Sequence, residues 1–171
     1  MGEVFKEQLV KRQNTSQDTF KRVGIVIAAL ILVLVCSFVP LVQDFLLFVM
    51  FGAAFGAYAL MSMLNLEYEY AFTSGELDID VIYNKSRRKR VFSGLVKDFE
   101  VMAHVDDKQY AGEFHGATET KDYGSGKTSP NSYAFLTTYK GSRTKIIIEP
   151  NETMLKAFQT VLTPRKLHKK M

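Results

Sequence analysis

From Val23 to Leu66 the chain carries a single charge, Asp44, and that charge stands four residues after Pro40. Few features constrain a chain more. The hydrocarbon core of a bilayer, about 30 Å thick, takes roughly 20 helical residues at about 1.5 Å each. Residues 23–42 and 45–66 therefore each predict a transmembrane helix, with Pro40, Gln43 and Asp44 at the bend between them. A charge is tolerable at the headgroup level and expensive at mid-membrane, which suits a bend there. Two helices apolar on every side are also too much to bury in a soluble chain of 171 residues.

Charge sets the expected orientation. Residues 1–22 are polar, and Lys21 and Arg22 abut the first apolar run. The bend holds only Asp44, and the next basic group, Lys85 to Arg90, follows the second run. Positive residues on both flanks and none at the tip predict a multi-pass cell-membrane protein with both termini in the cytoplasm. Residues 1–22 carry a weak apolar stripe (Val4, Phe5, Leu9, Val10) and read as a short interfacial helix or a disordered tail. The first run lacks an Ala-x-Ala-like end and is followed at once by a second, so a cleaved signal peptide fits poorly. A net charge of +4 is explained by these flanks, without nucleic acid as a partner. Within the second run, Gly52 and Gly56 form Gly-x-x-x-Gly, which places small groups on one helix face for close packing. The neighbour is either the first run or another copy, and a glycine merely tolerated in the helix stays open as well.

After Leu66 the period changes from helical to two. Tyr68, Tyr70 and Phe72 alternate with Glu67, Glu69 and Ala71; Ser74-Gly75 is turn chemistry; then Leu77, Ile79, Val81 and Tyr83 alternate with Asp78 and Asp80. Further strands are expected at 89–96, 99–105, 133–139 and 143–148, with an irregular stretch over 108–131. Asn151 and Glu152 open an amphipathic helix bearing Met154, Leu155, Phe158, Val161 and Leu162 on one face. Residues 67–163 thus predict a small all-β barrel plugged by a C-terminal helix, with Phe158 among the core, followed by a basic tail at 164–171.

This order of elements carries a resemblance. The two apolar runs, the first strands YEYAFTSGELDIDVI and the closing helix NETMLKAFQTVL resemble membrane-anchored bacterial proteins with a pleckstrin-homology-like domain. The layout is similar to the YcxB-like type, and the chain also looks like an uncharacterised family of low-GC Gram-positive bacteria. The resemblance implies a fold more than a reaction, since many such proteins have no assigned activity.

The candidate chemistry is sparse. Asp78 and Asp80 share a strand face opposite Leu77, Ile79 and Val81, which reads as a solvated face and not as an acid–base pair. His104, His115 and His168 have no metal-ligand spacing, and Cys36 lies within the first apolar run, so no metal and no cofactor is expected. Gly124-Ser125-Gly126-Lys127-Thr128 lacks the Gly-to-Gly spacing and the following helix of a phosphate loop. The strongest polar feature is Lys85, Arg87, Arg88, Lys89 and Arg90, five cations in six residues without an acid. It reads as a surface for anionic headgroups, as a solvated turn, or as a protein-docking surface. The expected function is a membrane-anchored, non-enzymatic binding or scaffolding module whose partners are membrane lipids. The alternative is a structural subunit or assembly factor, with a membrane protein partner or a homo-oligomer. No nucleophile–base set supports an enzyme acting on lipid.

Overall fold

The computed structural model describes residues 5–163 and 166–168, which divide into two compact units. One comprises 14–66 with 83–86, and the other the residues before 14 together with 67–82 and those from 87 onward.

The first unit is helical. α1, Ser16–Ser37, starts at Thr15 because the sequence supplies a capping box there. The Thr15 hydroxyl accepts from the Asp18 amide at 3.4 Å, and the Asp18 carboxylate accepts from the Thr15 amide at 3.0 Å. A short α2, Pro40–Gln43, fills the bend, with proline in the first turn where its missing N–H costs nothing. α3, Leu46–Ser62, packs along α1. At the base of the pair the Arg22 guanidinium donates to Asn14 Oδ1 at 3.0 Å and to Asn65 Oδ1 at 2.9 Å. The Asn65 carbonyl accepts from the Asn84 amide at 2.8 Å.

The expected two-helix transmembrane hairpin is corrected here. α1, at 22 residues, is the one described helix long and apolar enough to cross a membrane. α3 has 17 residues, about 26 Å at 1.5 Å per residue, short of a core about 30 Å thick. The multi-pass placement with both termini cytoplasmic rested on two spans and falls with the second. The reason lies at the end of α3. Leu64 and Asn65 tighten into i→i+3 turns, their amides donating to Met61 and Ser62, and Leu66 already belongs to a strand. Apolar composition alone does not distinguish the last turn of a helix from the first residue of a buried strand.

The second unit holds two sheets and a helix. β1 (Phe5–Lys11), β2 (Leu66–Thr73), β3 (Glu76–Tyr83) and β4 (Arg87–Leu95) form a sheet in that order. Residues 5–11 are therefore neither an interfacial helix nor a tail. They form an edge strand, antiparallel to β2 from Phe5 opposite Thr73 to Lys11 opposite Glu67. The second sheet is built from β5 (Val101–His104), β6 (Glu119–Asp122), β7 (Tyr133–Tyr139), β8 (Ser142–Ile148) and β9 (Leu167–His168), ordered β6-β8-β7-β5-β9. β9 falls within the expected basic tail; the remainder of that tail lies mostly outside the described residues. Ser74-Gly75 and Lys140-Gly141 adopt positive φ at both positions, the turn that matches strand twist in a tight hairpin.

The all-β barrel expectation is also corrected: this is a mixed α and β fold with two sheets that do not close. Among the described residues no strand pairing joins them. Between β4 and β5 the chain turns through a 3-10 segment, Val96–Asp98, which interrupts the ladder where a barrel would continue it. The sheets meet through side chains. Phe92 of β4 contacts Phe135 of β7 edge-on at 5.5 Å, and Phe135 stacks on Phe99 at 4.0 Å. Tyr70, Phe72, Leu77, Ile79, Val81, Val101, Phe135, Ile146 and Ile148 are all buried, and so is Phe158, expected in the core. The closing helix, α4 (Glu152–Gln159), is capped by Asn151, whose Oδ1 accepts from the Met154 amide at 2.8 Å. Its Phe158 ring meets Phe72 of β2 edge-on at 5.4 Å.

Candidate functional site

The basic turn joins β3 to β4. Asn84 and Lys85 both lie in the left-handed region, with φ of 47° and 57°, and the Ser86 amide donates to the Tyr83 carbonyl at 3.0 Å. Glycine is the usual residue at such a position, and lysine there costs roughly 1–2 kcal/mol. Lys85 at the tip belongs to the helical unit, whereas the cations of β4 belong to the sheet unit.

On β4 the arginines divide by partner. Arg88 binds the carboxylate of Glu69 on β2, its Nη2 lying 2.9 Å from Oε1 and 2.6 Å from Oε2. Arg90 reaches Asp78 Oδ2 at 2.6 Å and also donates from Nε to Asp80. Asp78 and Asp80 are thus not a freely solvated row; a single cross-strand arginine pairs with both, and Asp80 is buried. The Asp80 hydrogen bond, more than any other contact, holds the Arg90 proton more tightly than usual. Glu69 is driven the other way. A hydrogen bond with Glu7 of β1 raises it above the ordinary carboxylate value, burial adds to the rise, and Arg88 opposes it. Arg87 and Lys89 are exposed and make no ion pair among the described residues, and the same holds for Lys85. Of five candidate cations, two therefore tie the sheet together across its strands and three remain open to an anion.

Gly52 and Gly56 stand in open space. A Cβ built at either would meet no atom within 4 Å. Both line the space between α3 and α1, opposite Gly24 and Ala28.

The loop that superficially resembles a phosphate loop has another role. Glu149 Oε1, just past β8, accepts from the Ser125 amide at 3.0 Å, the Ser125 hydroxyl at 2.8 Å and the Ser132 hydroxyl at 3.4 Å. A carboxylate of the chain itself occupies the donors that a phosphate would need. Gly124 makes this approach possible, because a Cβ there would come to 3.0 Å from the same oxygen. Around the hub, the Tyr70 hydroxyl donates to the Tyr123 carbonyl at 2.6 Å, and Gln8 of β1 donates to the Glu149 carbonyl at 2.7 Å. Burial raises the Tyr70 hydroxyl strongly and pushes that of Tyr123 up to about 12, so both stay protonated donors.

His104 has a structural role. His104 is buried, its Nδ1 accepts from the Asp106 amide at 3.2 Å, and its Nε2 therefore carries the proton donated to the Pro130 carbonyl at 3.0 Å. His115 is exposed on the 3-10 segment Ala111–Gly116. Among the described residues no group of three His, Cys, Asp or Glu side chains could hold a metal ion.

Sequence reasoning missed β1 and the Glu149 hub. A signal for the first was present: Thr15-x-x-Asp18 marks a helix start at Ser16, which leaves the preceding residues outside the helix. The hub joins residues 8, 70, 125, 132 and 149, a separation that no local pattern encodes.

Comparison with known proteins gives one family. The model of a family described as bacterial PH-like domain (DUF6106) matches residues 2–169. No curated protein and no solved structure matches the chain.

Proposed function

The chain belongs to the bacterial PH-like domain family, and we propose that it is a membrane-anchored binding or scaffolding module that performs no reaction of its own. The PH-like family identity agrees with the resemblance drawn from the strand and helix pattern. The observation that carries the anchoring is α1. From Val23 to Cys36 its residues are apolar or glycine, and none of its apolar window is buried within the chain. Leu30, Leu34 and Val35 are each more than half exposed, and only an apolar surrounding makes that arrangement stable. Alkaline carbonate washing of membranes from cells producing the full chain tests this reading. Retention in the pellet is expected, and release into the supernatant would refute it.

In this reading Arg87 and Lys89 face anionic headgroups from β4, and Lys85 does so from its own unit. Arg88 and Arg90, bound to Glu69, Asp78 and Asp80, fix the strand that carries the first two. A cation near an anionic leaflet gains about 1 kcal/mol, an attraction that salt weakens. Hydrogen exchange over residues 83–91 of the full chain in nanodiscs is the measure. Slower exchange is expected in phosphatidylglycerol than in phosphatidylcholine, with the difference lost in Arg87→Gln/Lys89→Gln. Equal exchange in both lipids would assign these cations to solvent.

A further inference from the structure

An apolar groove of about 720 Å³ runs between α1 and α3. Its walls include Gly24 and Ala28 on α1, Gly52 and Gly56 on α3, and Met63 just past the end of α3; Lys21 is the one charged residue that lines it. A Cβ added at Gly24, Gly52 or Gly56 would meet nothing within 4 Å. Helix pairs use small residues to bring backbones together, but here they hold space open. We infer that this groove is a binding site for one lipid, its acyl chain lying along the small residues and its anionic phosphate head meeting Lys21.

Two observations select that occupant. The first is size: 720 Å³ falls within the range of small-ligand sites. The second is charge. Lys21 lies at one end of the groove, exposed and without an ion pair among the described residues, and the rest of the lining is apolar. A single cation at one end of an otherwise apolar groove complements a single anionic head on an apolar tail.

The site rests on the membrane part of the proposed function, since the bilayer supplies the lipid, but it does not require α3 to span. Its test keeps the two apart. Full-chain protein is first scored for retention in alkaline-washed membranes. It is then purified in mild detergent with equal phosphatidylglycerol and phosphatidylcholine, and bound lipid is counted by native mass spectrometry. Wild type should hold one phosphatidylglycerol at about five-fold preference, the factor expected for one nearby cation. Lys21→Gln should lower that preference towards parity while lipid is still bound. Gly56→Leu, whose side chain enters open space and favours the helix, should lose most bound lipid of both kinds, with helicity by circular dichroism unchanged. Protein retained in membranes yet holding no phosphatidylglycerol would overturn the site and leave the anchoring reading intact. Equal lipid in Gly56→Leu and wild type would also overturn it. So would a dimer that Gly56→Leu converts to monomer without change in lipid, which would assign the groove to a second copy.

Discussion

Replacing Phe158 with alanine should destabilise the sheet-bearing unit by about 3–5 kcal/mol, the usual cost of removing a fully buried phenyl ring. The magnitude follows from the ring's surroundings. Phe158 has no exposed surface and sits edge-on to Phe72 at 5.4 Å with an interplanar angle of 70°. Such a geometry adds about 0.5–1.5 kcal/mol beyond the area buried. Phe158→Leu retains most of the volume and isolates the aromatic part, so a double-mutant cycle with Phe72→Leu should return a coupling of that size. The chain has no tryptophan and 8 tyrosines. Urea unfolding of the full chain in detergent can therefore be followed by near-ultraviolet circular dichroism, which reports on packed tyrosines. Far-ultraviolet signal would be dominated by α1 and α3, which detergent holds helical. A loss below 1 kcal/mol for Phe158→Ala would refute the reasoning, because it would mean that α4 does not seal the sheets.

Two further outcomes probe the polar interior. Glu149→Ala leaves the buried Ser125 amide and the Ser125 and Ser132 hydroxyls without their carboxylate acceptor. At roughly 1–3 kcal/mol for an orphaned buried donor, it should cost about 3 kcal/mol and speed hydrogen exchange over 123–132, while Glu149→Gln, which keeps an acceptor, should cost much less; equal costs would sink the hub. Glu69 has a raised pKa in the folded chain, first through Glu7 and then through burial. The folded state thus binds this proton more tightly than the unfolded one, and the charged form lowers stability above the raised pKa. Glu69→Gln should raise the unfolding midpoint at pH 7, and wild type should draw level as pH falls through that pKa towards 4.5; a lower midpoint at pH 7 would show that the Arg88 ion pair outweighs both.

What the sequence revealed was local. The alternation of Tyr68, Tyr70 and Phe72 puts aromatic side chains on one strand face, and the structure buries all three. Asn151, placed before the Met154–Leu155–Phe158 stripe, caps α4 as expected. The Lys140-Gly141 turn joins two strands whose bounds lie within a residue of those expected. Each of these rests on neighbours within a few positions, where periodicity and turn chemistry determine the geometry. β1 was not legible in this way. Phe5 and Leu9, its larger apolar residues, are both more than half exposed, and Val10 alone of its side chains is buried. Its place comes from backbone pairing with residues some sixty positions away.

The same distinction governs the candidate site. Five adjacent cations look alike in sequence, and their fate depends on what the neighbouring strands bring beside them. β2 brings Glu69 to Arg88, and β3 brings Asp78 and Asp80 to Arg90. Alternation then leaves Arg87 and Lys89 on the other parity of the strand, without acidic partners among the described residues. The acidic row on β3 and the basic run on β4 are thus two halves of one cross-strand arrangement. Charge that stays unpaired after the strands have met is what an outside anion can use, and in the sheet unit Arg87 and Lys89 carry it.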